Sequence, residues 1–289
     1  AGNDVLTIAP KNARLYGANF DNRAYGFGLV ESTSANGQDV ARMYDSAGND
    51  VLLAAVGNVR LWGSGFDNRA YGYRQVEGYS DTGNDAAVLY DSAGDDALSA
   101  APKNVRLVGG GFDNRAIGFA HVEANSRSGN DTAMLYDSAG NDTFVSGVGS
   151  AQLKGTGFDN RAYGFRKVQA VSSAGVDAAM MYGSQGANTL LANFDQRTTK
   201  LTSSGVETMV ERFSQVVAQG SGTGLDHATL IDSALDDTLV AQSNLAQVSN
   251  AVSTGQFYNF KNVKAQGGHG GQNSAAVHSI DFVLENDWS

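Results

Sequence analysis

A motif written four times at one interval limits what this chain can fold into. The Phe of "FDNRAY" (or "FDNRAI") falls at Phe20, Phe66, Phe112 and Phe158, a step of 46 each time. The "YDSAG" marker begins at Tyr44, Tyr90 and Tyr136, with an altered copy at Tyr182, again 46 apart. Glu31, Glu77 and Glu123 keep the same interval, and Gln169 stands in the fourth copy. Three markers hold one period with no insertion, so each copy must pack on its neighbours in an open stack or a closed ring.

The copies wear down after residue 190. Ile231–Leu239 is a degraded fifth "YDSAGNDTF", and Phe257–Ala265 resembles the "GF-x-x-V-x-A" segment a sixth time. Residues 1–192 therefore read as four regular repeats, and residues 193–289 as degenerate repeats forming a C-terminal cap. The chain opens on "AGND", inside a repeat. That predicts either further repeats upstream or an end that stacks head-to-tail on another copy.

Within one repeat, short runs alternate polar and apolar residues: Val122–Ser126, Thr132–Tyr136, Thr143–Ser146 and Ala151–Leu153. Gly-Asn-Asp or Gly-Ser clusters separate them. A period of two reads as strand and the clusters as turns. Val206–Val217 is ambiguous between helix and strand. The expected fold is all-β: a right-handed parallel β-helix, or β-solenoid, with two coils of about 23 residues per repeat. The alternative is a six-bladed β-propeller, one blade per repeat. Short strands with Gly-x-Asp corners and worn terminal copies favour the solenoid.

Composition excludes several functions. The net charge of −10 disfavours a nucleic-acid partner, which needs clustered Lys and Arg. No run of 18 apolar residues reads as a membrane span, and no stretch reads as a signal peptide. The chain has no Cys, so disulfides and thiolate metal sites are excluded. The four His (His121, His227, His269 and His278) fall in no catalytic motif, and carboxylate pairs recur as repeats, whereas catalysis needs one tuned pair. The chain does not read as an enzyme; a β-helix polysaccharide lyase is the least supported reading.

Gly-x-Asp recurs at Gly111-Phe112-Asp113, Gly129-Asn130-Asp131 and Gly140-Asn141-Asp142. With Asn130-Asp131-Thr132-Ala133 and Asn141-Asp142-Thr143-Phe144, this distantly resembles the RTX, or haemolysin-type, calcium-binding repeats. It departs from them in lacking a tandem nonapeptide ladder and most of the double Gly. Residues 1 to about 190 more closely resemble the long-period "LYDSAGND" repeats of large secreted or surface bacterial proteins. The resemblance implies an extracellular or cell-surface scaffold. If calcium binds, the candidate ligands are Asp45, Asp50, Asp91, Asp96, Asp137 and Asp142. The competing reading is that these Asp only cap turns. The fourth copy keeps the turn but replaces Asp137 and Asp142 with Gly183 and Asn188.

Asp and Arg two apart on an extended segment face the same way. Stacked at the repeat interval, Asp21/Arg23, Asp67/Arg69, Asp113/Arg115 and Asp159/Arg161 would form one charge ladder, joined by Glu31, Glu77 and Glu123. Arg23, Arg69, Arg115 and Arg161 form the candidate ligand stripe, for an acidic or sulfated polysaccharide, with Tyr25, Tyr71 and Tyr163 as sugar platforms. The principal expectation is mechanical: an extracellular structural β-solenoid, a stalk, filament subunit or adhesin segment, extended by end-to-end stacking. A calcium-dependent module binding acidic polysaccharide is the second.

Overall fold

A computed structural model describes residues 2–288, and among them there are 31 strands and no helix. The chain is an all-β solenoid of stacked parallel coils, as the repeat pattern predicts. Contacts divide it into two compact units. Unit 1 runs to Met134 and includes Gly157–Phe165; unit 2 comprises Leu135–Thr156 and Arg166 onward.

The first repeats show how a coil is built. Strands β1 (Val5–Ala9), β2 (Asn12–Gly17) and β3 (Phe20–Tyr25) form an antiparallel meander in sheet one. The chain crosses to sheet two for β4 (Leu29–Thr33) and returns for β5 (Val40–Tyr44), which pairs parallel with β1. The next meander, β6 (Val51–Ala55), β7 (Asn58–Gly63) and β8 (Phe66–Tyr71), lies in sheet two. Then β9 (Gln75–Tyr79) lies in sheet one and β10 (Ala86–Tyr90) in sheet two. The third meander, β11 (Ala97–Ala101), β12 (Asn104–Gly109) and β13 (Phe112–Ile117), is back in sheet one. Strand β14 (His121–Asn125) follows in sheet two, then β15 (Thr132–Tyr136), β16 (Thr143–Gly147), β17 (Ser150–Gly155) and β18 (Phe158–Tyr163). In unit 1, sheet one runs β3-β2-β1-β5-β9-β13-β12-β11 and sheet two runs β18-β14-β10-β6-β7-β8-β4.

Each repeat thus contributes five strands in three visits to a sheet, the first visit being a meander, which makes one and a half coils and not the expected two of about 23 residues. The meander lengthens the coil, so that parallel partners such as Val5 and Val40 stand 35 residues apart. The antiparallel meanders were not legible as such in the sequence. Three is odd, so equivalent residues of successive repeats alternate between sheets. The single ladder at the repeat interval therefore does not form. Arg23 and Arg115 stand on sheet one, and Arg69 and Arg161 on sheet two. Strands β3 and β13 are five steps apart in sheet one, about 24 Å at the usual strand spacing. The Glu row does join the arginines, because the V-E strand of one repeat pairs parallel with the FDNRA strand of the next. Arg69 bonds Glu31 at 2.9 Å and Arg161 bonds Glu123 at 3.3 Å.

The core is rich in alanine, as the composition suggests: Ala70, Ala116 and Ala162 sit buried on the FDNRA strands, with Val59 opposite Ala70 and Val105 opposite Ala116 on the adjoining strands. Phe66, Phe112 and Phe158 are buried as expected, but Phe20 is 38% exposed because β3 is an edge strand. The ambiguous Val206–Val217 segment forms two strands, Val206–Glu211 and Gln215–Gln219. Unit 2 keeps the same plan through the worn copies. Its meanders begin at Asn188 and Thr238 and bury Leu190, Leu201, Leu239 and Val248. The final strands, Ser274–Ile280 and Val283–Asn286, are largely exposed.

Replacing Phe112 with Ala should therefore cost about 3–5 kcal/mol in chemical unfolding, whereas Phe20→Ala should change stability by less than about 1 kcal/mol. Equal losses would contradict the edge position of β3.

Candidate metal centres

The corners between sheets carry the chemistry. The Gly-Asn-Asp clusters turn the chain there, and a turn packs on the turn 35 residues before it, where Asn84 N–H donates to Asn49 Oδ1 at 2.9 Å. Gly83 is required at this point. Its φ is +114°, and a Cβ would lie 2.0 Å from the Gly48 carbonyl oxygen.

This stacking brings three carboxylates together at each of three corners: Asp45, Asp50 and Asp85; Asp91, Asp96 and Asp131; Asp137, Asp142 and Asp177. Within each trio the ligand oxygens all lie within 4.8 Å of one another. The first two trios belong to unit 1 and the third to unit 2. All six predicted aspartates are in these clusters, two per corner. The third member, Asp85, Asp131 or Asp177, was missed, although it recurs at the repeat interval from Asp39 onward.

Hydrogen bonds fix each trio. At the first corner Asp85 Oδ1 accepts from the Asp50 backbone N–H at 2.6 Å, and Asp85 Oδ2 accepts from Ser80 Oγ at 2.7 Å. Asp50 Oδ2 accepts from both the N–H and the Oγ of Ser46, each at 2.7 Å. Asp45 Oδ2 accepts from Asp81 N–H at 3.1 Å. The other two corners repeat the scheme: Asp131 accepts from Asp96 N–H and Asp177 from Asp142 N–H, both at 2.7 Å. Turn-capping is therefore real at every corner. It does not satisfy every oxygen, because Asp50 Oδ1, Asp91 Oδ1 and Asp142 Oδ1 are buried with no hydrogen-bond partner. An unpaired buried carboxylate oxygen beside two more carboxylates is unfavourable unless a cation answers it.

The worn copies supply an internal control. At the fourth corner Asn188 replaces the second Asp, and its Nδ2 donates to Asp226 Oδ1 at 2.8 Å. At the fifth corner Asn250 Nδ2 donates to Asp237 Oδ1 at 2.9 Å, and Asn273 Nδ2 donates to Asp232 Oδ2 at 2.9 Å. His269 Nδ1 lies 2.6 Å from Asp232 Oδ1. Where carboxylates are fewer, amide N–H groups take up the acceptors.

Proton affinities follow the same division. Burial pushes Asp45 up to about 6, against the bond from the Asp81 N–H, and the charges of Asp85 and Asp50 add to the rise. Burial also raises Asp177, with the Asp137 and Asp142 charges adding to it. Asp226 is buried too, but hydrogen bonds from Ser221 and Asn188 outweigh burial and hold it below the ordinary value. These clusters can hold a metal ion through oxygen ligands alone.

The candidate Arg stripe is engaged in ion pairs on both sheets. Asp21 lies between Arg14 and Arg23, which hold its carboxyl down to about 2, and Arg60 and Arg69 do the same to Asp67. Of the candidate sugar platforms, Tyr25 is exposed at the end of β3, while Tyr71 and Tyr163 lie half-buried on sheet two.

Two outcomes test the clusters. Asp50→Asn copies the Asn188 arrangement. It should raise the melting temperature under chelation, by about 2–4 °C per kcal/mol of repulsion relieved, and lower it in excess cation. A pure turn cap would give the same shift in both conditions. The second concerns pH. Asp45 binds its proton more tightly folded than unfolded, so its contribution is fully present below about 4 and is lost as pH rises through about 6. Cation-free melting temperature should fall across that window, and Asp45→Asn should flatten the fall. The chain matches no protein-family model and no curated protein.

Proposed function

We propose that this chain is an extracellular structural β-solenoid whose corners are locked by calcium. The observation that carries the reading is the set of three aspartate trios, buried apart from the half-buried Asp45, each holding a carboxylate oxygen that nothing in the protein satisfies. Calcium suits them better than magnesium. It accepts irregular oxygen shells and gives up its waters, whereas magnesium keeps several waters in an octahedron. Neither Cys nor His enters the trios, which disfavours softer metals. A cation at a trio bridges turns 35 residues apart, so it adds to the same contacts that hold successive coils in register.

End-to-end assembly is the second part of the proposal. Phe20 and Phe27 are exposed on unit 1, while the equivalent Phe66, Phe112 and Tyr73, Phe119 are buried under the preceding repeat. Arg23 pairs with Asp21, whereas Arg69 pairs with both Asp67 and Glu31. A strand of the valine-glutamate type, from another copy or another repeat, fits this edge.

Calcium titration with calorimetry, alongside melting with and without chelator, tests the first part. Saturable binding with a melting-temperature gain that shrinks stepwise in Asp50→Asn, Asp91→Asn and Asp142→Asn is expected. No shift beyond error would remove calcium from the account. For the second part, sedimentation should show concentration-dependent association that Phe20→Asp abolishes; monomers at all concentrations would refute it.

A further inference from the structure

Strand register assembles an arginine row that the repeat interval conceals. Directly opposed residues across sheet one of unit 1 are Arg23 and Arg14, Arg14 and Thr7, then Thr7 and Arg42. The line continues through Arg42 and Glu77, Glu77 and Arg115, and Arg115 and Arg106. Five arginines and one glutamate therefore lie in one line across seven adjacent strands, about 29 Å at the usual spacing. Arg14, Arg23, Arg42 and Arg106 keep 42–51% of their side-chain surface exposed.

The two outer faces of unit 1 differ in charge. On sheet one the outward positions of the eight strands carry these five arginines against three carboxylates, Asp21, Glu77 and Asp113. On sheet two three arginines (Arg60, Arg69 and Arg161) meet four carboxylates, Glu31, Asp67, Glu123 and Asp159. A positive face on a chain of net charge −10 is not a product of overall composition.

Next to the arginine row runs an aromatic one. Tyr44 and Tyr79 stack with ring centroids 4.8 Å apart, and Tyr25 stands exposed at the same level on β3. At the β3 end of the row, Arg14, Arg23, Tyr16, Tyr25 and Asn12 line a cleft of about 250 Å³.

We infer that this face binds a linear acidic polysaccharide, laid across the strands along the arginine row and against the tyrosines. Guanidinium groups pair in a planar fork with carboxylate or sulfate. Asp21, the most exposed of the three interleaved carboxylates, can accept hydrogen bonds from sugar hydroxyls, whereas the buried Glu77 only subtracts positive charge from the row. The tyrosines offer apolar surface to the sugar rings. The site is independent of the cation proposed at the corners.

The test uses the full chain, with polygalacturonate oligomers and heparin fragments as charged probes, a neutral glucan and duplex DNA as contrasts, in calcium and in chelator. A charged glycan should bind, more weakly as salt rises. Arg14→Gln with Arg106→Gln should weaken it at least tenfold, while Asp21 and Asp113 keep Arg23 and Arg115 as partners. Glu77→Gln should strengthen binding, a readout that loss of folding would not give. Arg60→Gln with Arg69→Gln, on the opposite sheet, should leave it unchanged. The assignment is overturned if neither charged glycan binds, if the sheet-two variant loses as much affinity, or if DNA binds more tightly than either glycan. Retained glycan binding in chelator with no calcium effect on melting would sink the calcium proposal and leave this one standing.

Discussion

Successive coils are held in register at their corners by a carboxylate that accepts the backbone N–H of a turn 35 residues away. Asp85 does this for Asp50, Asp131 for Asp96 and Asp177 for Asp142. Strands that bury one face resist a one-residue slip, which would turn that face outward, but a two-residue slip keeps the same face inward. The side-chain bond adds a directional constraint at the point where the strands begin. It also concentrates negative charge, because the accepting Asp must approach two others. Holding the register and collecting a cation are thus two results of one geometry.

That geometry explains which copies wear. A corner that loses carboxylates need not lose its turn, since an amide presents the same acceptor oxygen plus donors of its own. Asn188 accepts from Ser184 N–H as Asp142 accepts from Ser138 N–H, and it also donates to Asp226. Unit 2 keeps its meanders and buried leucines where the repeat motif has largely faded. The backbone plan tolerates sequence decay, and the charge of the corner is what changes.

Much of this was readable from residues. Alternation over Thr132–Tyr136 and Thr143–Ser146 located strands almost to their ends, and exact spacing pointed to stacked coils. The six aspartates were identifiable because Tyr-Asp-Ser-Ala-Gly-x-Asp recurs without a change at Tyr44, Tyr90 and Tyr136. Asp85, Asp131 and Asp177 were harder, since their companions lie 35 residues back in the chain and proximity in space has no local signature. The arginine row was hidden for a related reason. Arg14 and Arg106 hold one place in the repeat, with Arg60 between them in the second copy, and Arg42 holds another. Only the antiparallel meander brings Arg14 and Arg106 into line with Arg23 and Arg115. A period reports which residues are equivalent; it does not report which are adjacent.

The odd number of sheet visits per repeat has an evolutionary corollary. Insertion or deletion of a single unit in the gene would exchange the two faces for everything downstream, sending a basic surface to where an acidic one had been. Only changes by pairs of units would preserve the character of a side. Lineages that lengthen or shorten such an array while retaining a surface-borne activity should therefore differ by even counts, a parity rule imposed by topology alone.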